Sequence, residues 1–229
     1  MYPRARFDRQ LQHVRQDLLQ MASLVDRAIE RGVDALLNSD LELARQVVSD
    51  DDVINAARVG TEKACLGLLA TQQPAACDLR TLIAANNMAM DLERMGDYAK
   101  GVARITLRMP PGFVVRDVLD TPRMALQARD MLKRVMEAFV DGDAERARAL
   151  CSEDDRIDAL YQGNLRILLS HMAEEPAAVT PLMYLVWAAH NIERIGDRVT
   201  NVAEQIIFMC TGEFEDMNPH AKLKDQPLA

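Results

Sequence analysis

Four pairs of residues in this chain have the types and spacing to hold a cation. Glu93 with Asp97, Asp154 with Asp158, and Glu193 with Asp197 each place two carboxylates one helical turn apart. The fourth pair, Asp51 with Asn55, has an amide in its second place. On an α-helix, residues at i and i+4 project from one face, and like charges there repel unless something neutralises them. Oxygen ligands of this kind suit hard or borderline divalent cations or iron, with magnesium, manganese, iron and zinc as the candidates. Asn201, one turn beyond Asp197, is a further candidate ligand. A single acidic pair is weak support, because helix exteriors are rich in Asp and Glu, and Arg94 and Arg194 stand ready as ordinary ion-pair partners. Recurrence in register across a repeat carries more weight.

Other chemistry has no carrier. His190 precedes Glu193 by three residues, whereas a di-iron carboxylate bundle needs Glu-x-x-His, and Met90 holds the matching place upstream. No Ser/His/Asp grouping, glycine-rich phosphate loop or nucleophile elbow is present, so the chain does not read as an enzyme. Cys65, Cys77, Cys151 and Cys210 form no C-x-x-C pair and no zinc-finger spacing with histidine, which predicts buried free thiols and no organic cofactor.

Helices must position the acidic pairs. Leu92-Glu93-Arg94-Met95-Gly96-Asp97 returns as Ile192-Glu193-Arg194-Ile195-Gly196-Asp197, 100 residues later. Met88, Leu92, Met95, Ala99, Val102 and Thr106 follow steps of three and four, the core face of a helix, and Ala188, Ile192, Ile195, Val199, Val202 and Ile206 repeat it. These faces put Glu93, Asp97, Glu193 and Asp197 outward, on the surface. A second stripe, Ala89, Gly96 and Ala103, recurs as Ala189, Gly196 and Ala203. Glycine inside a helix costs about 1 kcal/mol against alanine, so two equivalent glycines point to a tight helix–helix contact.

The spacing predicts six long helices, over about 5–38, 40–71, 76–107, 121–140, 143–172 and 178–209. Pro74, the Pro110-Pro111-Gly112 loop, Gly142 and Pro176 supply the breaks. The earlier helices of each half repeat too. Ser49-Asp50-Asp51-Asp52 matches Ser152-Glu153-Asp154-Asp155, at an offset of 154 − 51 = 103. The fold class is therefore all-α, two tandem three-helix bundles at 1–112 and 113–212, followed by a tail at 213–229 without structure. Folding each third helix back on the second brings Asp97 level with residue 49 and Asp197 level with residue 155. Each Glu-Arg-x-Gly-Asp stretch then lies beside the acidic cluster of its neighbour.

The chain of 229 residues is 49% hydrophobic but 4% aromatic, which favours helix over sheet. A net charge of −8 with no basic run makes it a poor binder of nucleic acid or anionic membrane. No apolar run approaches a bilayer span, and the N-terminus has no signal-peptide core, so the reading is a soluble cytoplasmic protein.

The doubled Glu-Arg-x-Gly-Asp, Pro74-Ala75-Ala76-Cys77-Asp78-Leu79-Arg80 and Asn191 to Asn201 resemble the PhoU family of bacterial phosphate-signalling proteins, from about residue 7 to 212. The resemblance implies a cytoplasmic regulator of phosphate homeostasis without catalysis. Such a protein acts with the ATPase of a phosphate ABC transporter and with a membrane sensor histidine kinase. It restrains uptake and keeps the phosphate-starvation regulon off when phosphate is plentiful. Members are commonly homodimers, and some carry metal ions on the E(D)-x-x-x-D faces, which here are Asp51 with Asn55, Glu93 with Asp97, Asp154 with Asp158, and Glu193 with Asp197. Asn55 departs from that pattern, and Cys77 stands where serine is usual. The competing reading is a carboxylate-bundle metal-binding protein or metalloenzyme, against which the missing Glu-x-x-His counts. A plain helical scaffold would leave the acidic pairs unexplained.

Overall fold

Asp40 and Asp143 start helices at equivalent places in the two halves. The Asp40 carboxylate accepts from the backbone N–H groups of Glu42 and Leu43 at 3.0 and 2.9 Å, and Asp143 accepts from that of Arg146 at 2.9 Å. Both satisfy amides that the first helical turn leaves open. A computed structural model describes residues 3–113 and 120–217. Its helices are α1 (Pro3–Asn38), α2 (Leu41–Gln72), α3 (Cys77–Thr106), α4 (Thr121–Asp141), α5 (Ala144–Cys151), α6 (Asp154–Glu174) and α7 (Val179–Thr211), with a 3₁₀ turn at Pro176–Ala178. No strand occurs among the described residues.

The long helix expected over 143–172 is interrupted at Ser152 and Glu153, giving α5 and α6. The Ser152 hydroxyl donates to the Ala149 carbonyl at 2.9 Å, a local bond that competes with the helical ladder. Glu153 is gripped through both oxygens by Arg134 of α4, at 2.8 and 2.7 Å. At the equivalent place in the first half Arg31 makes one contact to Asp50, at 2.5 Å, and α2 runs through unbroken.

α1, α2 and α3 pack on one another, as do α4, α5–α6 and α7. The broadest contact in the molecule joins α3 to α7, and α1 also meets α4. α3 and α7 lie antiparallel. Asn87 donates to Gln205 at 3.0 Å, Asn201 donates to Asp91 at 3.2 Å, and Gly101 lies against Asn191. These pairs sit symmetrically about Gly96 and Gly196. Asp26 and Arg129, themselves repeat-equivalent, pair across the α1–α4 contact at 2.7 Å. The halves are thus related by an approximate twofold. Apolar side chains from Phe7 to Met209 form one continuous cluster, so the two three-helix bundles are fused through it.

Two expectations change. The tail expected to lack structure from 213 lies, over residues 213–217, as a strap on the second half. Phe214 stacks on Phe208 at 4.1 Å. Arg148 holds both oxygens of Glu215, and the Met217 N–H donates to Glu204 at 2.8 Å. One aromatic and three acids in a polar stretch leave no periodicity to read. Residues 218–229 of that tail lie outside the described residues. Of the cysteines, Cys65 and Cys151 are buried, and burial pushes their thiols up to about 11 and about 12. Cys77 and Cys210, near helix ends, are exposed instead.

Candidate metal centre

The small-residue stripe brings the acids together. α3 crosses α2 at Gly96, where an added β-carbon would stand 3.0 and 3.2 Å from atoms of Ile54 and 3.6 Å from Asp51 Oδ1. α7 crosses α6 at Gly196 more tightly, where a β-carbon would stand 2.6 Å from Asp154 Oδ1 and 2.9 Å from Ile157 Cδ1. Close approach is the reason for glycine at both crossings. Ala89, Ala103, Ala189 and Ala203 are buried with them.

The same crossings overturn the outward placement of the acids. Asp51, Asp154 and Glu193 are buried, and Glu93, Asp97, Asp158 and Asp197 are half-buried. Each third helix buries two faces, one of large apolar residues and one of small residues. The acids border the second face, so they lie along a helix–helix seam.

At the first crossing, Asp51 Oδ2 accepts from Lys100 Nζ at 2.5 Å and from the Asn55 amide at 2.9 Å. Lys100 also donates to Asp97 Oδ1 at 3.2 Å, so one ammonium bridges carboxylates from two helices. Burial alone would lower the Lys100 pKa. The hydrogen bonds to Asp51 and Asp97 outweigh it and hold the pKa above the ordinary lysine value. Arg94 reaches Asp97 at 3.3 Å and Glu93 at 3.7 Å from the solvent side. Lys100 was missed in the sequence because the motif was read as ending at Asp97. Its position three residues on, and its absence from the second copy, were the available signals.

At the second crossing, Asp158 stands where Asn55 does, and Thr200 stands where Lys100 does. Thr200 is buried, and its hydroxyl donates to the Asp197 backbone carbonyl at 2.7 Å. Arg194 reaches Asp197 at 3.2 Å. The hydrogen bond to Tyr98 of α3 is the first of several contacts that raise the Arg194 pKa. His190 is half-exposed, with Nδ1 3.4 Å from Glu193 Oε2 and its ring 5.9 Å from that of Tyr161. Asn201 does not turn toward this face. With Arg198 it binds Asp91 in the α3–α7 seam, where burial raises the Asp91 pKa even against those two partners.

Among the described residues, no three His, Cys, Asp or Glu side chains converge closely enough to enclose a metal ion. The two faces then differ in fit. The first has an ammonium at its centre and an amide in place of one carboxylate, and does not suit an added cation. The second offers four carboxylates from α6 and α7, with a neutral hydroxyl at the lysine's position. That donor set is of the kind that a hard divalent cation takes.

Comparison with known proteins gives the same two halves. A family model described as "PhoU domain" matches residues 18–106 and again 121–206. The chain is 35% identical over 207 residues to the phosphate-specific transport system accessory protein PhoU homolog of Pseudomonas aeruginosa, covering 90% of this chain and 86% of that one. It is 35% identical to the homolog of the same name from Rhizobium meliloti, covering 90% and 87%. Among solved structures, PhoU from Pseudomonas aeruginosa superposes with a TM-score of 0.83 at 34% identity, over 90% of this chain and 100% of that one. The phosphate transport system regulatory protein PhoU from Streptococcus pneumoniae superposes with a TM-score of 0.85 at 27% identity, over 92% and 99%.

Proposed function

The chain belongs to the PhoU family, and on that premise we propose that it regulates phosphate homeostasis as an accessory of phosphate transport. It restrains uptake by the phosphate ABC transporter when phosphate is plentiful, and it holds the phosphate-starvation regulon off through the sensor histidine kinase. The observation that carries this reading is the PhoU domain matched in both halves, in a chain whose relatives are named for the phosphate-specific transport system.

The protein works by contact, with no chemical step of its own. No described helix is long and apolar enough to cross a membrane, so it reaches the membrane by binding the transporter's ATPase or the kinase, and it does so as a homodimer. The α3–α7 seam offers a contact surface in which Arg94, Arg194, Met90 and Trp187 are at least partly exposed. Asp154, Asp158, Glu193 and Asp197 hold a divalent cation or iron that ties α6 to α7 and steadies that surface.

Deleting the gene is expected to raise phosphate uptake and phosphate-responsive transcription in phosphate-rich medium. Unchanged levels of both would overturn the assignment. The variant E93Q/D97N/E193Q/D197N keeps side-chain shape and is expected to fold, as judged by circular dichroism, yet to leave the deletion uncorrected. If it restores repression, the regulatory role stands and the acidic faces are not the working part.

A further inference from the structure

We propose that Lys100 is a tethered cation that closes the first acidic face, leaving the second as the face of the pair that takes an added divalent ion. The part about the second face rests on the metal reading given above. The part about Lys100 stands on its own geometry.

The Lys100 ammonium lies 2.5 Å from Asp51 of α2 and 3.2 Å from Asp97 of α3. It makes the link between two helices that a bridging metal ion would make. Its side chain is 16% exposed and that of Asp51 only 2%. Displacing the ammonium would strip it of both carboxylates, and an incoming ion must overcome the loss of that ion pair. Asn55 belongs to the same arrangement. It donates its amide to the oxygen of Asp51 that Lys100 also binds, where a carboxylate would add repulsion. The second copy reverses both choices. Asp158 replaces the amide and Thr200 replaces the lysine, and each change lowers the formal charge by one. The two substitutions therefore act together. One copy carries its cation covalently, and the other has a formal charge lower by two at the same places.

The test is a manganese titration of the full chain after chelation. Calorimetry, together with the electron paramagnetic resonance signal of free manganese, counts the ions bound per chain. The wild type is expected to bind one ion. K100T is expected to bind one more, to melt at a lower temperature than wild type in chelator, and to regain part of that loss with manganese. T200K, the reciprocal change, is expected to abolish the wild-type ion by rebuilding the lysine bridge between Asp154 and Asp197. D154N/D197N should likewise remove the wild-type ion, and D51N/D97N should leave it in place. The Lys100 proposal is overturned if K100T gains no ion, or if D51N/D97N removes one from the wild type. Should the wild type bind no manganese, the metal reading of the second face fails while K100T still decides the role of Lys100. K100Q, neutral and nearly the same length, takes the place of K100T if that variant does not fold.

Discussion

At Asp51 and at Asp154 a helix presents a buried carboxylate to a glycine of its neighbour, and the two crossings differ in what answers that charge. The first answers it from within the chain, with the Lys100 ammonium and the Asn55 amide. The second sets Thr200 and Asp158 in those places and packs more tightly at its glycine, where an added β-carbon would stand 2.6 Å from the acid against 3.6 Å at the first. The repeat gives two copies of one seam, and at the first the residues around the motif make a self-sufficient structural joint. The other copy has a formal charge lower by two at those places. The same ERxGD words therefore do different work in the two halves, and only the residues around them say which.

The sharpest break in this comparison should come from removing the internal cation. Lys100→Met is expected to cost about 3 kcal/mol, because it leaves Asp51 buried without its partner. Thr200→Ala at the equivalent place should cost about 1 kcal/mol, the worth of one neutral hydrogen bond. Urea denaturation of both variants checks the ratio, and equal losses would mean that Lys100 carries no special load. A middling effect is expected at the crossings. Gly196→Ala forces Asp154 and Ile157 to move and should destabilise by about 2 kcal/mol, as overpacking does. Gly96→Ala meets Ile54 at 3.0 and 3.2 Å and Asp51 at 3.6 Å, looser contacts than those at Gly196, so the roughly 1 kcal/mol gain in helix propensity should offset much of its strain. Thermal melts of the pair report the difference.

The smallest effect compares Glu153 with Asp50. The Arg134 hydrogen bonds, with its charge, hold the Glu153 carboxyl below its ordinary 4.5. A depressed carboxylate contributes stability that is complete above the unfolded pKa and is lost as pH falls through the folded one. Glu153→Gln should therefore cost about 1 kcal/mol at pH 7, as for a partly buried bidentate pair. Its deficit against wild type should shrink steadily below about pH 4.5. Asp50→Asn, on an exposed side chain with one contact, should cost about 0.3 kcal/mol. Denaturation at a series of pH values separates the two.

Much of the fold was legible because large apolar residues at three- and four-residue steps mark one buried face of each helix, and because two offsets tie the halves together. The fold-back of α3 on α2 and of α7 on α6 was legible from helix lengths alone, and it set each ERxGD stretch at the right height. Rotation was harder to read. Periodicity finds the face built from Met88, Leu92 and Met95, and the stripe of Ala89, Gly96 and Ala103 marks a second contact, but its lack of bulk does not show that the contact extends over the acids beside it. The acids that border it were accordingly placed in solvent. Lys100 escaped because a lysine on a charged helix resembles any other until a carboxylate from α2 is seen against it. The break between α5 and α6 was illegible for a related reason. Ser-Glu continues a helix as readily as the Ser49-Asp50 that does so in α2, and the features found at the break, the Ser152 bond to Ala149 and the grip of Arg134 from α4, show only in the fold.

The claim that the two faces have diverged is tested most directly by locating ions in a crystal. Crystals grown with manganese should show an anomalous-scattering peak between α6 and α7, beside Asp154 and Asp197, with no peak beside Asp51 and Asp97, where the Lys100 ammonium remains in place. A peak at the first face, or peaks of equal strength at both with Lys100 turned away, would contradict the account.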